Sequence, residues 1–323
     1  MNTLSRRRFI AGSSAGFAAL TKKPEISAAS GRLSWKPEKT DRKLQRLIEE
    51  RLRNFRGEAG AYIRHLPSGR TASIRADKLF PTASLIKTAI MLSLFDRIQR
   101  GEISYHEYLE YDGKHVYEGM NDDLLSRFRL GEKIRLSKLI MLMITISDNT
   151  ASRWCQELAG GGERINETLD SHGFQSLRIN SRTPGREEAF RQYGWGQTTP
   201  LEICGLLTLI REGKAVSPGA SDEMYRVLSR IYWNGEALSR IPPYVQTASK
   251  QGALDRSRSE AVLVNAPSGD YVFSVITRNQ EDQSWGSDNE GFALLRDISG
   301  LVWNYFEPKS HWAPPEKTWN WDR

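Results

Sequence analysis

Strand-like sequence lies near both ends of this chain, and the long stretch between has helical periodicity. Residues 60–64 and 70–74 flank Pro67-Ser68-Gly69, a combination typical of a β-hairpin. Strand-like sequence returns only late, at residues 261–264 and 271–277. We therefore expect segments from both ends of the chain to meet in one sheet, and this sheet must carry an inserted helical part.

The remaining segments have the periodicity of helices. Apolar residues recur at helical spacing in six segments, which predicts amphipathic or buried helices near residues 40–55, 84–98, 136–146, 200–212, 221–232 and 290–306. The predicted fold class is α/β: a discontinuous antiparallel sheet flanked by N- and C-terminal helices, with an all-α insertion. The α/β part comprises residues 40–82 and 230–306, and the all-α part comprises residues 83–229.

The charge distribution argues against a nucleic-acid partner. The chain has 46 Lys and Arg residues against 39 Asp and Glu residues, a net charge of +7. Residues 1–29 contain five of the basic residues and one acidic residue, so 41 basic and 38 acidic residues remain, a net charge of +3. These charges are dispersed and form no basic stripe. There is also no apolar run of about 18 residues, so we expect no membrane span. We further expect a monomer whose partner is a small molecule.

The N-terminus resembles a twin-arginine export signal. Arg6-Arg7-Arg8 precedes a large apolar residue and a modest apolar run over residues 11–20, and Ser27-Ala28-Ala29 offers a small-residue cleavage site. We predict a signal peptide over residues 1–29, a linker over residues 30–39, and a periplasmic or secreted protein. The Pro- and Trp-rich tail, residues 307–323, has no predicted role.

The two cysteines, Cys155 and Cys204, fit this route, because twin-arginine export carries proteins that are already folded. Both lie in apolar helical patterns and lack the spacing of metal ligands. We expect buried free thiols rather than a disulfide.

Ser84-Leu85-Ile86-Lys87 can support nucleophilic catalysis. A serine hydroxyl is a poor nucleophile until a base takes its proton. Residues i and i+3 share a helix face, so Lys87 can reach Ser84, and burial would lower the pKa of its amine and let it act as that base. A helix N-terminus would also favour a developing oxyanion. An S-x-x-K alone is common, and an N-cap serine beside an exposed lysine is the structural alternative.

Two further motifs favour the catalytic interpretation. Ser147-Asp148-Asn149 ends an apolar run, and Lys250-Gln251-Gly252 lies in a strand-like context. The order S-x-x-K, S-D-N and Lys-x-Gly is the order found in class A β-lactamases and penicillin-binding proteins. A second Ser-Asp-Asn at residues 287–289 lies downstream in a polar loop, where we expect a turn and a helix N-cap.

From residue 40 to 306 the chain resembles the class A β-lactamases, and its motifs and their flanks, residues 80–87 and 146–151, carry this resemblance. The resemblance implies that Ser84 is acylated with Lys87 as its partner. It further implies that Ser147 relays a proton to the leaving nitrogen, that Asn149 binds the amide carbonyl of the substrate, and that Lys250 attracts the substrate carboxylate. The implied oxyanion hole consists of the backbone N–H groups of Ser84 and Ala253.

The sequence departs from the family pattern in the third motif and in the loop that supplies the deacylating glutamate. Gln251 replaces a hydroxyl residue beside Lys250 and Gly252. Glu188 is the candidate base for deacylation, but it is shifted by about five residues, and the acidic partner of the loop arginine is replaced by Gly196 or Gln197. Arg153, at a position where the family has asparagine, could pair with Glu188 and weaken it as a base.

Arg258 is the candidate residue whose guanidinium group helps to bind the substrate carboxylate. It lies one residue away from the position that the family resemblance implies.

Three functions remain open. The first is a serine β-lactamase with slow deacylation, which needs no cofactor and no metal. The second is a penicillin-binding D-Ala-D-Ala peptidase that acts on cell-wall peptide. The third is a protein that binds such ligands without turnover. The scattered histidines form no H-E-x-x-H motif, and neither a G-x-S-x-G motif nor a P-loop is present.

Overall fold

The computed structural model describes residues 39–118 and 123–315. The predicted signal peptide, residues 1–29, lies outside the described residues, as do residues 30–38 of the predicted linker and residues 316–323 of the tail. None of the helices in the described part of the chain is both long and apolar enough to cross a membrane.

The strands are β1 Lys39–Thr40, β2 Glu58–His65, β3 Arg70–Ile74, β4 Phe80–Pro81, β5 Tyr108–Glu110, β6 Lys133–Arg135, β7 Arg178–Ile179, β8 Gly196–Thr198, β9 Thr247–Leu254, β10 Ser257–Val264 and β11 Tyr271–Arg278. The α-helices are α1 Arg42–Leu52, α2 Lys87–Gln99, α3 Leu136–Met141, α4 Asn149–Leu158, α5 Gly161–Ser171, α6 Glu187–Tyr193, α7 Pro200–Arg211, α8 Pro218–Leu228 and α9 Glu290–Phe306. Shorter 3-10 turns lie at Ala83–Ile86, Leu125–Arg127 and Ala237–Arg240, and a π-helical turn lies at Leu142–Ile146.

The main sheet joins the two ends of the chain, as the strand pattern predicts. Its order is β1-β3-β2-β11-β10-β9, and β2 pairs antiparallel with β11 over eight residues, from Glu58 opposite Arg278 to His65 opposite Tyr271. All neighbours are antiparallel except β1 and β3. The predicted discontinuous antiparallel sheet with a large helical insertion is therefore confirmed.

Helices cover both faces of this sheet and form two apolar cores. One face packs against α1 and α9, whose buried residues recur at helical spacing. The other face packs against the inserted helices, where α2 and α7 are buried over most of their length. Since side chains alternate along a strand, each strand contributes to both cores.

The insertion differs from the prediction at three points. The helix expected from residue 84 begins as the 3-10 turn Ala83–Ile86 and becomes α-helical only at Lys87. The helix expected over residues 136–146 ends as the π-helical turn Leu142–Ile146. Two small sheets, β4-β8-β7 and β5-β6, lie among the helices. The sequence did not predict them, because strands of two or three residues are too short to show an alternating pattern.

Two smaller predictions are confirmed. Cys155 and Cys204 are free and buried. Asn289 is the N-cap of α9, where its side chain accepts hydrogen bonds from the backbone N–H groups of Gly291 and Phe292, so the second Ser-Asp-Asn has a structural role.

Candidate active site

Ser84 lies where the chain passes from β4 into α2. The preceding residue, Ala83, has a φ of 45°, in the left-handed region that non-glycine residues rarely adopt. Such backbone strain persists only where the surrounding structure enforces it, and it is concentrated at functional sites. Ser84 is half-buried in the 3-10 turn, and Lys87 follows as the first residue of α2.

Lys87 is completely buried at the start of its helix. Burial lowers the pKa of its amine from 10.5 to about 7, although the nearby carboxylates of Asp123 and Asp148 favour the charged form. A lysine with this pKa exchanges its proton near neutral pH, as a general base must. Burial thus shifts the pKa of Lys87 in the direction that its predicted role as a base requires.

The ammonium group of Lys87 has three acceptors. Its Nζ donates to the backbone oxygen of Ser147 at 2.5 Å, to Ser147 Oγ at 2.9 Å and to Asn149 Oδ1 at 2.8 Å. An ammonium group has three N–H donors, so this network uses all of them. When Lys87 loses a proton, its lone pair becomes available to accept a hydrogen bond from a hydroxyl group.

Ser147 lies in the left-handed region, with a φ of 65°, directly after the π-helical turn. This conformation reverses the chain, and Asp148 then caps α4 by accepting from the backbone N–H of Ala151. Ser147 Oγ lies 2.9 Å from Lys87 Nζ and 3.1 Å from Lys250 Nζ. One hydroxyl therefore bridges the amines of two buried lysines.

Lys250 enters this cluster from β9. Its amine is fully buried, and burial, followed by the positive charge of Lys87, holds its pKa well below 10.5. Its Nζ also donates to the backbone oxygen of Gln251 at 3.1 Å and to Gln251 Oε1 at 3.2 Å. The glutamine that replaces the family's hydroxyl residue thus folds its amide oxygen onto Lys250.

Gly252 lets β9 approach the serine turn. A Cβ atom at this position would lie 2.5 Å from the backbone oxygen of Thr82 and 2.9 Å from the backbone nitrogen of Ser84. Only glycine fits this contact. Ala253, the next residue along β9, is half-buried at the same edge of the sheet.

Two of the predicted site residues are not brought into this cluster. The side chain of Glu188 lies in the first turn of α6, is 79% exposed and forms an ion pair with Arg191. The guanidinium of Arg258 donates to the carbonyls of Leu254, Ser257 and Ser284 and stacks between the rings of Trp285 and Phe292.

The position of Arg258 follows from strand alternation. Its neighbour Ser259 bonds through Oγ to the Thr82 carbonyl on the Ser84 side, so Arg258 points to the α9 side.

The expected contact between Arg153 and Glu188 is not formed. Arg153 instead donates to the carbonyl of Val116 at 2.7 Å and lies 4.6 Å above the ring of Tyr117. The loop arginine, Arg186, donates to Gln197 Oε1 at 2.9 Å, so a neutral amide stands where the family resemblance implies an acidic partner.

Two residues near Lys87 escaped sequence reasoning. Asp123 is buried and accepts from the backbone N–H groups of Asn149 and Thr150, which fixes the start of α4. The ring of Trp195 has its centroid 5.9 Å from Lys87 Nζ. Neither residue belongs to a spaced motif, because each reaches the site from a separate loop. In residues 39–118 and 123–315 there is no group of three or more His, Cys, Asp or Glu side chains that could hold a metal ion.

The chain is similar in sequence to one known protein family and to individual proteins. A family model described as the Beta-lactamase enzyme family matches residues 39–306. Beta-lactamase VEB-1 of Pseudomonas aeruginosa is 19% identical over 269 residues, which cover 80% of this chain and 89% of that protein.

Solved structures have the same fold. The structure of an L158E mutant of PBP-A, described as an acyl-enzyme complex with penicillin G, is 26% identical, with a TM-score of 0.73. The match covers 84% of this chain and 99% of PBP-A. A beta-lactamase from Sphaerobacter thermophilus is 21% identical, with a TM-score of 0.71, over 81% of this chain and 96% of that one.

Proposed function

Since this chain belongs to the Beta-lactamase enzyme family, we propose that it opens the β-lactam amide through an acyl-enzyme on Ser84 and that it releases the product slowly. The observation that carries this proposal is the buried amine of Lys87, one helical turn after Ser84. Its pKa is about 7, and it forms a hydrogen bond with Ser147.

In acylation, neutral Lys87 takes the proton of Ser84, whose oxygen attacks the lactam carbonyl carbon. Charge develops on the carbonyl oxygen, and the backbone N–H groups of Ser84 and Ala253 are the proposed donors to it. The C–N bond then breaks, and Ser147 gives its proton to the nitrogen. Lys87, now protonated and in contact with Ser147 Oγ, restores the hydroxyl.

Substrate binding would use the remaining groups of the cluster. We assign the carboxylate of the substrate to Lys250 and Gln251, and the amide carbonyl of its side chain to Asn149. A carboxylate must displace Gln251 Oε1 from Lys250, but the amide NH₂ group of Gln251 can then donate to it. The charge of the substrate also offsets the mutual repulsion of Lys87 and Lys250.

Slow deacylation follows from the positions of the carboxylates. The base for hydrolysis must hold a water molecule against the ester, but Glu188 is exposed and pairs with Arg191. Asp123 and Asp148 act on the charge of Lys87, but their oxygens accept hydrogen bonds from backbone N–H groups at the start of α4. We therefore expect the acyl-enzyme to accumulate.

A penicillin-binding peptidase is the second candidate. The exposed position of Glu188 favours it, as does the similarity to PBP-A, whose mutant is described as an acyl-enzyme with penicillin G. Such a protein would use the same Ser84 chemistry on a cell-wall peptide.

The test is intact-mass spectrometry of the mature protein during exposure to benzylpenicillin. We expect an adduct with the full mass of the penicillin, because ring opening expels no group, and we expect it to decay slowly. Ser84→Ala should remove the adduct. Ser287→Ala, in the second Ser-Asp-Asn, is the matched control and should retain it.

Three results would contradict parts of this proposal. Labelling that persists in Ser84→Ala would place the nucleophile elsewhere. Rapid turnover without a detectable adduct would mean an efficient lactamase despite the altered loop. No acylation at all would favour a ligand-binding protein without turnover.

We also propose twin-arginine export to the periplasm or the medium, on the basis of Arg6 and Arg7 ahead of an apolar segment. The double variant Arg6→Lys, Arg7→Lys should leave the precursor in the cytoplasm, as measured by fractionation. Normal processing of this variant would refute the route.

A further inference from the structure

A cavity of about 650 Å³ lies between α4 and the loop that carries α6, and its wall includes Trp195, the ring beside Lys87. Its lining combines cationic, amide and aromatic side chains, among them Arg153, Gln156, Arg182, Phe190, Arg191 and Trp195. The mechanism proposed for Ser84 uses none of these residues.

Two arginines in the lining donate to backbone or amide oxygens rather than to a carboxylate. Arg182 donates to Gln156 Oε1 at 2.9 Å and to the backbone oxygen of Arg153 at 3.1 Å. Arg153 donates to the carbonyl of Val116, and its guanidinium stacks on Tyr117. Within residues 39–118 and 123–315, neither guanidinium forms an ion pair. Partial burial, followed by the positive charge of Arg153, lowers the pKa of Arg182, and the carboxylate of Glu157 offsets only part of this effect. An anion between the two guanidinium groups would reduce their mutual repulsion.

The other charges of the lining do not neutralise this pair. Arg191 is paired with the exposed Glu188. Glu187 is the acidic residue of the lining, and its Oε1 accepts from the backbone N–H of Gly185. Counted with Glu188, which pairs with Arg191, the three arginines of the lining face two glutamates, a net charge of +1.

The cavity adjoins the Lys87 side of the site through α4 and Trp195. Arg153 lies one turn along α4 from Asn149, an axial rise of about 6 Å. Trp195 forms part of the cavity wall, and its ring also approaches Lys87 Nζ at 5.9 Å. Phe190 and Trp195 supply apolar surface on the way to the guanidinium groups.

We propose that this cavity is a subsite for the acyl side chain of the substrate and selects an apolar arm that ends in a carboxylate. The arm would lie along Phe190 and Trp195, and its carboxylate would accept hydrogen bonds from Arg153 and Arg182. Guanidinium groups suit this ligand because they donate to carboxylates in a planar, bidentate geometry. The inference rests on the proposed acylation of Ser84 and adds a substrate class to it.

The test compares two penicillins that differ by one charge. Both derive from 6-aminopenicillanic acid; one has an adipyl side chain with a free terminal carboxylate, and the other has the terminal carboxamide. Their second-order rate constants for acylation are measured by competition with a fluorescent penicillin. We expect the acid to react at least about tenfold faster than the amide, and we expect the difference to shrink at high salt.

The variants assign this preference to the cavity. Arg153→Gln and Arg182→Gln should each bring the two rate constants to within about twofold, whereas Arg153→Lys should retain part of the preference. Arg226→Gln, on the exposed face of α8, is the matched control for net charge and should leave the preference intact. Benzylpenicillin has no carboxylate on its acyl side chain and should acylate the wild type and Arg226→Gln at similar rates. Acylation of each other variant by benzylpenicillin shows that the variant is folded, and the ratio of acid to amide within one variant cancels any general loss of rate.

The outcomes separate the two proposals. If benzylpenicillin acylates Ser84 but the acid and the amide react equally fast, the subsite is wrong and the proposed function stands. If Arg153→Gln and Arg182→Gln both retain the full preference, the carboxylate is bound elsewhere and the subsite is wrong. If no penicillin acylates the protein, the proposed function fails and the acyl subsite fails with it.

Discussion

Replacing Gly252 by alanine should separate the two backbone donors of the proposed oxyanion hole. The new Cβ atom would lie 2.5 Å from the Thr82 oxygen, 2.8 Å from Ser259 Oγ and 2.9 Å from the Ser84 nitrogen. Two of these three atoms belong to the backbone, so a change of rotamer cannot relieve the contacts. Strand β9 must instead move away from the serine turn by at least 0.5 Å to bring the shortest contact to 3.0 Å.

This displacement sets the expected size of the effect. Loss of one oxyanion donor costs about 100- to 1,000-fold in rate, and a misplacement of about 1 Å costs about 100-fold. For a shift of about half an ångström, we expect acylation by benzylpenicillin to slow by about 10- to 100-fold. Overpacking at this buried position should also reduce the free energy of unfolding by about 1–3 kcal/mol.

Stopped-flow labelling with a fluorescent penicillin measures the acylation rate, and urea unfolding measures the stability. The control is Gly219→Ala in α8, where an added Cβ atom meets no heavy atom within 4 Å. This control should acylate at the wild-type rate and be equally or slightly more stable, since alanine favours a helix over glycine.

Acylation at the wild-type rate by folded Gly252→Ala would refute this reasoning. It would mean either that β9 and the serine turn tolerate a wider separation or that the oxyanion is stabilised by other donors. A rate loss of similar size in Gly219→Ala would show that the assay reports a general disturbance rather than the local contact.

Three further predictions concern Lys87, Glu188 and Arg258. Because only neutral Lys87 can take the serine proton and its pKa is about 7, acylation should rise about tenfold between pH 6 and pH 8, and a flat stopped-flow profile would exclude this base. Glu188→Gln should change neither the acylation rate nor the rate at which the adduct decays in mass spectra, because the carboxylate is 79% exposed. Slower decay in this variant would restore Glu188 as the deacylating base. Arg258→Gln should lower the free energy of unfolding by about 2–4 kcal/mol in urea titrations, because three carbonyl groups and two aromatic rings lose the guanidinium they contact. Weaker penicillin binding without destabilisation would instead place Arg258 in the substrate site.

The sequence alone determined the pairing of Ser84 with Lys87, which supports the proposed chemistry, and the general architecture. Ser84 and Lys87 are three residues apart, and this spacing brings them together in either a 3-10 turn or an α-helix, so their relation did not depend on the tertiary fold. Strand patterns at both ends of the chain similarly left one sheet as the simplest arrangement. The helix at residues 290–306 could be predicted to the residue because Asn289 caps it and its apolar positions are regular.

Only the tertiary structure decided which distant side chains reach Lys87 and Ser147. Lys250 and Arg258 both lie in the paired strands β9 and β10, yet strand alternation turns Lys250 toward Ser147 and Arg258 toward α9. Glu188 matches a sequence step of the family but lies on the exposed face of α6, and Asp123 and Trp195 enter from loops that no motif connects to Lys87. The spacing of residues in a motif fixes which side chains are neighbours within one helix or strand. The face of the sheet on which a side chain lies, and the course of a loop, depend on packing between elements, which a short motif does not encode.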